Sequence, residues 1–269
     1  MSFSRTDLLC FATLPDSYSF AERIAAAAAA GFTELSLWLT SMDAAREELG
    51  SLQAVRDCLD KNGMRATGLE ILLAWPRGDG EAVEEEIEVM AAAAEVFAPE
   101  FLLAGCMDSE ITNPMHAVEF LRRQCRALSD YPVALEFLPW SAVPNLPAAR
   151  ALVEAVDEPN LGYVLDTWHF ARSGQDFEAL SAIPGDRILF VQLSDAGPSP
   201  GQDIITETLG ARLAPAEGVV DWGRLGTLLS DMGVDCPMGT EQFSDAVKAM
   251  PLDEACDYLY RGQKAAFNS

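Results

Sequence analysis

Short runs rich in Leu, Val, Ile and Phe recur along the chain, each followed by a longer stretch with apolar residues at helical spacing or with abundant alanine. The short runs predict eight strands, at 8–14, 34–38, 65–72, 101–105, 133–137, 161–165, 188–193 and 237–241. The stretches between and after them predict helices at 19–30, 41–62, 80–97, 114–129, 146–156, 167–182, 222–232 and 252–263. Breakers stand where turns belong: Gly31 and Gly63 follow helices as C-terminal caps, and Pro132 opens a strand.

Eight units in 269 residues average about 34 residues each, room for one strand, one helix and two short loops. Strands that are apolar almost throughout, each followed by a helix, indicate a parallel sheet covered by helices. A single-domain (β/α)8 barrel of the α/β class, spanning 1–269, uses all eight units and leaves no free edge. A doubly wound open sheet has less support, because no Gly-rich phosphate loop follows a strand.

Charge narrows the function. With 18 basic and 42 acidic side chains the formal net charge is −24, which disfavours nucleic acid and anionic membrane surfaces as partners. The apolar stretch at 24–32 is about half of the ~20 residues a membrane span requires. The 8–14 run has Asp7 before it and no nearby A-x-A-like cleavage site, so it reads as a buried strand and not as a secretory segment. The six cysteines form no C-x-x-C pair and lie in apolar segments, as expected for reduced thiols in a cytoplasmic protein.

In a barrel the C-terminal strand ends carry the site, which draws attention to polar residues there. Glu136 lies inside the strand at 133–137, Asp166 follows the one at 161–165, Gln192 and Asp195 end the seventh, and Glu241 closes the eighth. Isolated buried carboxylates are costly, so three acids and an amide at one mouth suggest a cation among them. The alternative for each acid alone is an ion pair with an Arg or a cap on the next helix. Glu136, Asp166, Gln192 and Glu241 offer oxygen only, a set that suits Mn²⁺ or Mg²⁺, then Co²⁺, better than Zn²⁺.

Other residues bear on the same mouth. His169 follows Asp166 by three at a strand-to-helix junction, whereas His116 lies in a helical pattern and reads as surface. Arg212, in the long segment after the seventh strand, could hold a substrate oxyanion by a forked pair of hydrogen bonds or form a rim ion pair with Glu217 or Asp195. Glu70 could reach the cavity or pair with Arg65. Trp38, Trp75, Trp140 and Trp168 lie at or just beyond strand ends, where they would wall a substrate or simply pack. Asp195 could orient the site from behind.

These segments resemble the xylose isomerase-like barrel superfamily, within it the sugar phosphate isomerase/epimerase group, over nearly the whole chain. The resemblance is carried by 25–31, Ala134-Leu135-Glu136, Leu165-Asp166-Thr167-Trp168-His169, Val191-Gln192-Leu193-Ser194-Asp195, the stretch 212–218, and Thr240-Glu241-Gln242-Phe243-Ser244. It implies Glu136, Asp166, Gln192 and Glu241 as ligands of one divalent metal ion, with Glu136 and Glu241 also flanking the reacting carbon as catalytic acid and base. It implies substrate contacts from His169 and Arg212, with Glu70 and Trp168 added from their positions. Two departures stand out. Gln192 replaces the commoner His, as in members resembling 3-dehydroshikimate dehydratase, and Ala216 replaces the first glycine of a P-G-E-G turn.

The implied chemistry begins with an enolisable hydroxy-carbonyl that chelates the cation, which acidifies the adjacent C–H by stabilising an enediolate. Reprotonation gives an isomer or an epimer, and loss of a β-hydroxyl gives a dehydrated product. The leading reading is therefore a metal-dependent isomerase or epimerase of a small polyhydroxy ketone or aldehyde. The alternatives are a lyase of the dehydroshikimate dehydratase kind and a non-catalytic sugar-binding barrel. A repair endonuclease of the wider superfamily is excluded by the charge and by there being only two histidines. The expected partner is a small molecule, with homo-oligomerisation left open.

Overall fold

The computed structural model describes residues 3, 5–199, 201 and 203–267. Its strands run parallel and close into a barrel in chain order. They are β1 (Leu8–Cys10), β2 (Glu34–Trp38), β3 (Arg65–Leu72), β4 (Phe101–Ala104), β5 (Val133–Leu135), β6 (Leu161–Asp166), β7 (Ile188–Leu193) and β8 (Met238–Thr240). Leu8 lies against Gly239 and Leu9 against Thr240, which seals β1 to β8 and removes the last edge.

Alternation along each strand sends successive side chains to opposite faces and so creates two cores. Outward residues such as Leu9, Leu35, Leu69, Leu102 and Leu135 pack with Ile24, Val55, Leu121 and Val153 of the surrounding helices. Inward residues Leu8, Phe101, Leu103, Ala134, Val164 and Phe190 fill the barrel. Phe101 and Phe190 stack inside it with centroids 4.6 Å apart. Glycine makes room for this plug: a Cβ on Gly68 would lie 2.3 Å from the Phe101 ring, and one on Gly239 2.3 Å from Leu8.

Several boundaries differ from the sequence reading. The first strand stops at Cys10, because only Leu8–Cys10 finds partners on β2, and Phe11–Thr13 turns into a 3-10 helix. The helix expected at 41–62 is two, Leu39–Leu49 and Leu52–Lys61. Gly50 takes a left-handed φ of 97° at the break, and the Ser51 hydroxyl caps the second helix. The helix expected at 167–182 likewise divides into Thr167–Arg172 and Phe177–Ser181, with Gly174 left-handed between them and Asp176 as the new cap. The segment after β7 holds a helix that the apolar pattern did not predict, Ile204–Gly210, started by Asp203.

All six cysteines are free, and all but Cys58 are buried. Among the described residues no helix is long and apolar enough to cross a membrane.

Candidate active site

The site residues follow from the alternation that fills the barrel. Two positions beyond an inward-facing plug residue or glycine, a strand again points inward, now at the C-terminal mouth. By this step Leu8 leads to Cys10, Gly68 to Glu70, Ala134 to Glu136, Val164 to Asp166, Phe190 to Gln192 and Gly239 to Glu241. Each of these six is buried. A small cavity of about 80 Å³ opens above them, with Glu70, Glu136, His169, Arg212 and Glu241 in its wall beside Trp38, Trp140 and Phe243.

Hydrogen bonds tie the polar groups into one network. Gln192 Nε2 donates to Glu241 Oε1 at 2.8 Å, while Gln192 Oε1, equally buried, has no partner. Arg212 Nη1 donates to Asp166 Oδ2 at 2.7 Å and to Glu241 Oε2 at 3.2 Å. His169 Nε2 lies 3.3 Å from Glu136 Oε1 and 3.5 Å from Asp166 Oδ2. The other Asp166 oxygen accepts the His169 backbone N–H at 2.9 Å and so caps the short helix that carries the imidazole. The Cys10 thiol lies 3.3 Å from Glu241 Oε1 and 4.0 Å from Glu70 Oε1.

Burial with one arginine among four acids sets the protonation. Burial and then the Asp166 charge raise the Glu136 pKa to about 8, against the pull of Arg212. Burial and the neighbouring carboxylates push Glu70 and Glu241 well above the usual range, although Arg212 pulls Glu241 the other way. Asp166 is the exception: burial acts against its charge, but Arg212 and His169 beside it hold its pKa below the ordinary value. Burial lowers the His169 pKa to about 3, more than Asp166 can offset, so the imidazole is neutral at pH 7.

The donors fit a divalent cation. Two triads have ligand atoms within 4.8 Å of one another, Cys10 with Glu70 and Glu241, and Glu136 with Asp166 and His169. The predicted set spans both triads, and the unpartnered Gln192 oxygen adds a neutral oxygen donor. A bound divalent cation would offset this excess of buried acids and give the unpartnered amide oxygen a partner.

The remaining predicted residues divide. Glu70 faces the cavity, and Arg65 pairs instead with Glu34 at 2.6 Å and Glu100 at 2.7 Å. Arg212 avoids both Glu217 and Asp195 as ion-pair partners and lies inside the site. Trp168 lies behind the cavity wall: it is fully buried, with the Arg212 and Arg172 guanidinium carbons 5.3 and 5.6 Å from its ring, a place that supports Arg212. Asp195 accepts the backbone N–H groups of Ala196 and Val220 and the Trp222 indole N–H, which anchors the segment that follows Arg212. His116 is exposed.

Two contributors escaped the sequence reading. Cys10 reads in the sequence as one more thiol in an apolar segment, although its place two residues after Leu8 marks it as a mouth position. Thr208, on the helix Ile204–Gly210, accepts Arg212 Nε at its carbonyl and Nη2 at its hydroxyl, both at 2.9 Å. The sequence carries no signal for Thr208, because the apolar pattern predicts no helix there and Arg212 lies beyond the end of this one.

Comparison with known proteins shows the family and the fold. A 3-dehydroshikimate dehydratase of Pseudomonas putida is 37% identical over 101 residues, covering 37% of this chain and 16% of that protein. One of Pseudomonas aeruginosa is 26% identical over 256 residues, covering 89% of this chain and 38% of that protein. The chain thus spans well under half the length of either dehydratase. A solved structure of the IOLI protein with a binding zinc atom shares the fold, with a TM-score of 0.86 over 97% of both chains at 19% identity. The xylose isomerase-like TIM barrel model matches residues 24–261, and the chain belongs to that family.

Proposed function

We propose that the chain is a divalent-metal-dependent isomerase or epimerase of a small polyhydroxy ketone or aldehyde. The observation that carries this reading is one buried network at the ends of β5 to β8, in which Glu136 and Glu241 line the cavity, Gln192 donates to Glu241, Asp166 is joined to Glu241 through Arg212, and a neutral imidazole lies beside Glu136 and Asp166. These four residues would hold the ion, Mn²⁺ or Mg²⁺ by preference and Co²⁺ next, with His169 as a further donor beside Glu136 and Asp166. A divalent ion supplies positive charge at the oxygens of a hydroxy-carbonyl and so acidifies the neighbouring C–H.

The chain's own groups do the rest. Glu136 and Glu241 face the cavity from different strands, so one carboxylate can take the proton and the other return it. A Glu136 pKa near 8 fits a group that exchanges protons near neutral pH, while an ion beside it would favour its ionised form. Arg212 holds Asp166 and Glu241 in place, and Trp38, Trp140 and Phe243 shield the reacting carbon from water. His169 can hydrogen-bond a substrate oxygen without adding charge.

Dehydration is the second reading, supported by the names of the two Pseudomonas relatives and by Gln192. It shares the first proton abstraction and then expels a β-hydroxyl. The test is to incubate the Mn²⁺-loaded protein with hydroxy ketones in D₂O. Deuterium entering a substrate C–H with no new ultraviolet absorbance supports isomerisation, and an unsaturated, absorbing product supports the lyase. Full activity after exhaustive chelation would refute both.

A further inference from the structure

Among the cavity-lining residues Arg212 is the one Lys or Arg, and its donors are already engaged. Nε reaches the Thr208 carbonyl, Nη1 reaches Asp166 and both the backbone and side chain of Glu241, and Nη2 reaches the Thr208 hydroxyl and lies 3.4 Å from His169 Nε2. A ligand carboxylate or phosphate entering this cavity would find no uncommitted guanidinium there. It would find Glu70, 1% exposed at the end of β3, in the same wall as Trp38 and Ile71. The arginine nearest to Glu70 in sequence points away to Glu34 and Glu100.

We propose that Glu70 makes this site select an uncharged polyhydroxy ligand and reject its carboxylate- or phosphate-bearing counterpart. The inference rests on the metal-dependent reading above and names the substrate class for that same site. Formally, Glu136, Asp166 and Glu241 are cancelled by Arg212 and one divalent ion, so Glu70 decides the sign that a ligand meets. Ionised, it repels an anion across the small cavity that both would share. Protonated, it still offers no positive charge to offset the dehydration of a ligand anion. In both forms its oxygens pair well with ligand hydroxyls, while Trp38, Trp140 and Phe243 can cover the C–H faces of a ring. Selectivity then comes from exclusion as much as from attraction.

The test compares two rings of similar size that need not react: myo-inositol, which is neutral, and quinate, which carries a carboxylate. Binding to the Mn²⁺-loaded full chain is read by calorimetry and by the fluorescence of the tryptophans, two of which line the cavity. The expected result is inositol binding at least roughly tenfold tighter than quinate, with the isosteric Glu70→Gln variant reducing that ratio roughly tenfold through a gain for quinate. Quinate binding as tightly as inositol to the unaltered protein, an unchanged ratio in Glu70→Gln, or binding of neither ring overturns the proposal. The unaltered protein tests the selectivity even if the variant fails to fold. Because the readout is binding, preference for inositol without deuterium exchange refutes the reaction and leaves the selectivity standing. Exchange accompanied by a preference for quinate does the reverse.

Discussion

The two ends of the barrel use the same residue types in different proportions. At the N-terminal end Arg5 and Arg65 share Glu100, Arg65 also holds Glu34, and Lys264 pairs with Asp7. These groups are partly exposed and their signs balance. At the C-terminal end Arg212 pairs with Asp166 and Glu241, Glu70 and Glu136 lie in the same cavity wall, and all four acids are buried. Exposed pairs contribute about 0–1 kcal/mol each, whereas burying excess like charge costs stability. The N-terminal network is what a fold tolerates at its surface, and the acidic mouth has no such structural justification. Under the proposed function that excess of buried acid serves the chemistry of the site.

The sharpest way to break the comparison is to remove one carboxylate from each end. Glu136→Gln or Glu241→Gln should lower kcat/KM for the exchange reaction at least about 10³-fold, equivalent to roughly 4 kcal/mol of barrier. Glu100→Gln should leave it within about twofold, as expected of a distant surface substitution. Parallel assays of the purified variants, with metal content measured in each, decide the matter. Normal turnover in Glu136→Gln or Glu241→Gln would remove the catalytic assignment.

The next effect falls on stability. Arg212 is the one Lys or Arg in the cavity wall, and truncating one partner of a buried charge network typically costs about 3–5 kcal/mol. Arg212→Met should therefore destabilise the metal-free protein by about that amount in urea unfolding. Mn²⁺ should then restore more stability to the variant than it adds to the unaltered protein, because it supplies the positive charge that was removed. Equal increments from Mn²⁺ in the two proteins would show that the acids and the ion do not communicate.

Titration should separate the ends by sign. Glu136 has its pKa raised from 4.5 to about 8, so its contribution to stability is present below about pH 4.5 and is lost as pH rises through about 8. Glu100 is shifted the other way: burial opposes the shift, but Arg5 and Arg65 lower its pKa, so its contribution is present at neutral pH and is lost on acidification. Metal-free protein should accordingly lose stability between about pH 4.5 and 8, with a slope of at most about 1.4 kcal/mol per unit for one titrating group. Saturating Mn²⁺ should flatten that slope, since it favours the ionised form of the mouth carboxylates. Unfolding midpoints across the range with and without metal provide the measurement, and a slope unaffected by Mn²⁺ would count against Glu136 as a ligand.

How much of this was legible in the sequence depends on the range of the interactions. The period-two pattern that places Ala134 in the barrel also places Glu136 at its mouth, and the same holds for Val164 with Asp166 and Phe190 with Gln192. Such positions need only local information. Breaks at Gly50 and Gly174 were missed because one left-handed residue can end a helix without interrupting its apolar pattern. The partners of Arg212 were beyond reach, since Asp166 is 46 residues away and Glu241 is 29 away, brought together only when the barrel closes. Cys10 was hidden for a different reason: a buried thiol looks like any other core residue until its carboxylate neighbours are known.

The smallest effect is expected at Arg65, and its smallness is informative. Arg65 touches two carboxylates, as Arg212 does, yet its side chain is 50% exposed where that of Arg212 is 3% exposed. Water can solvate Glu34 and Glu100 once the guanidinium is gone, and Arg5 still covers Glu100. Arg65→Met should therefore cost no more than about 1 kcal/mol, and less in high salt, which screens exposed pairs. Urea unfolding of Arg65→Met and Arg212→Met side by side compares equal truncations of two doubly paired arginines that differ in access to water. Equal losses would mean that burial does not distinguish the two ends, and the excess acid at the mouth would need no functional reason.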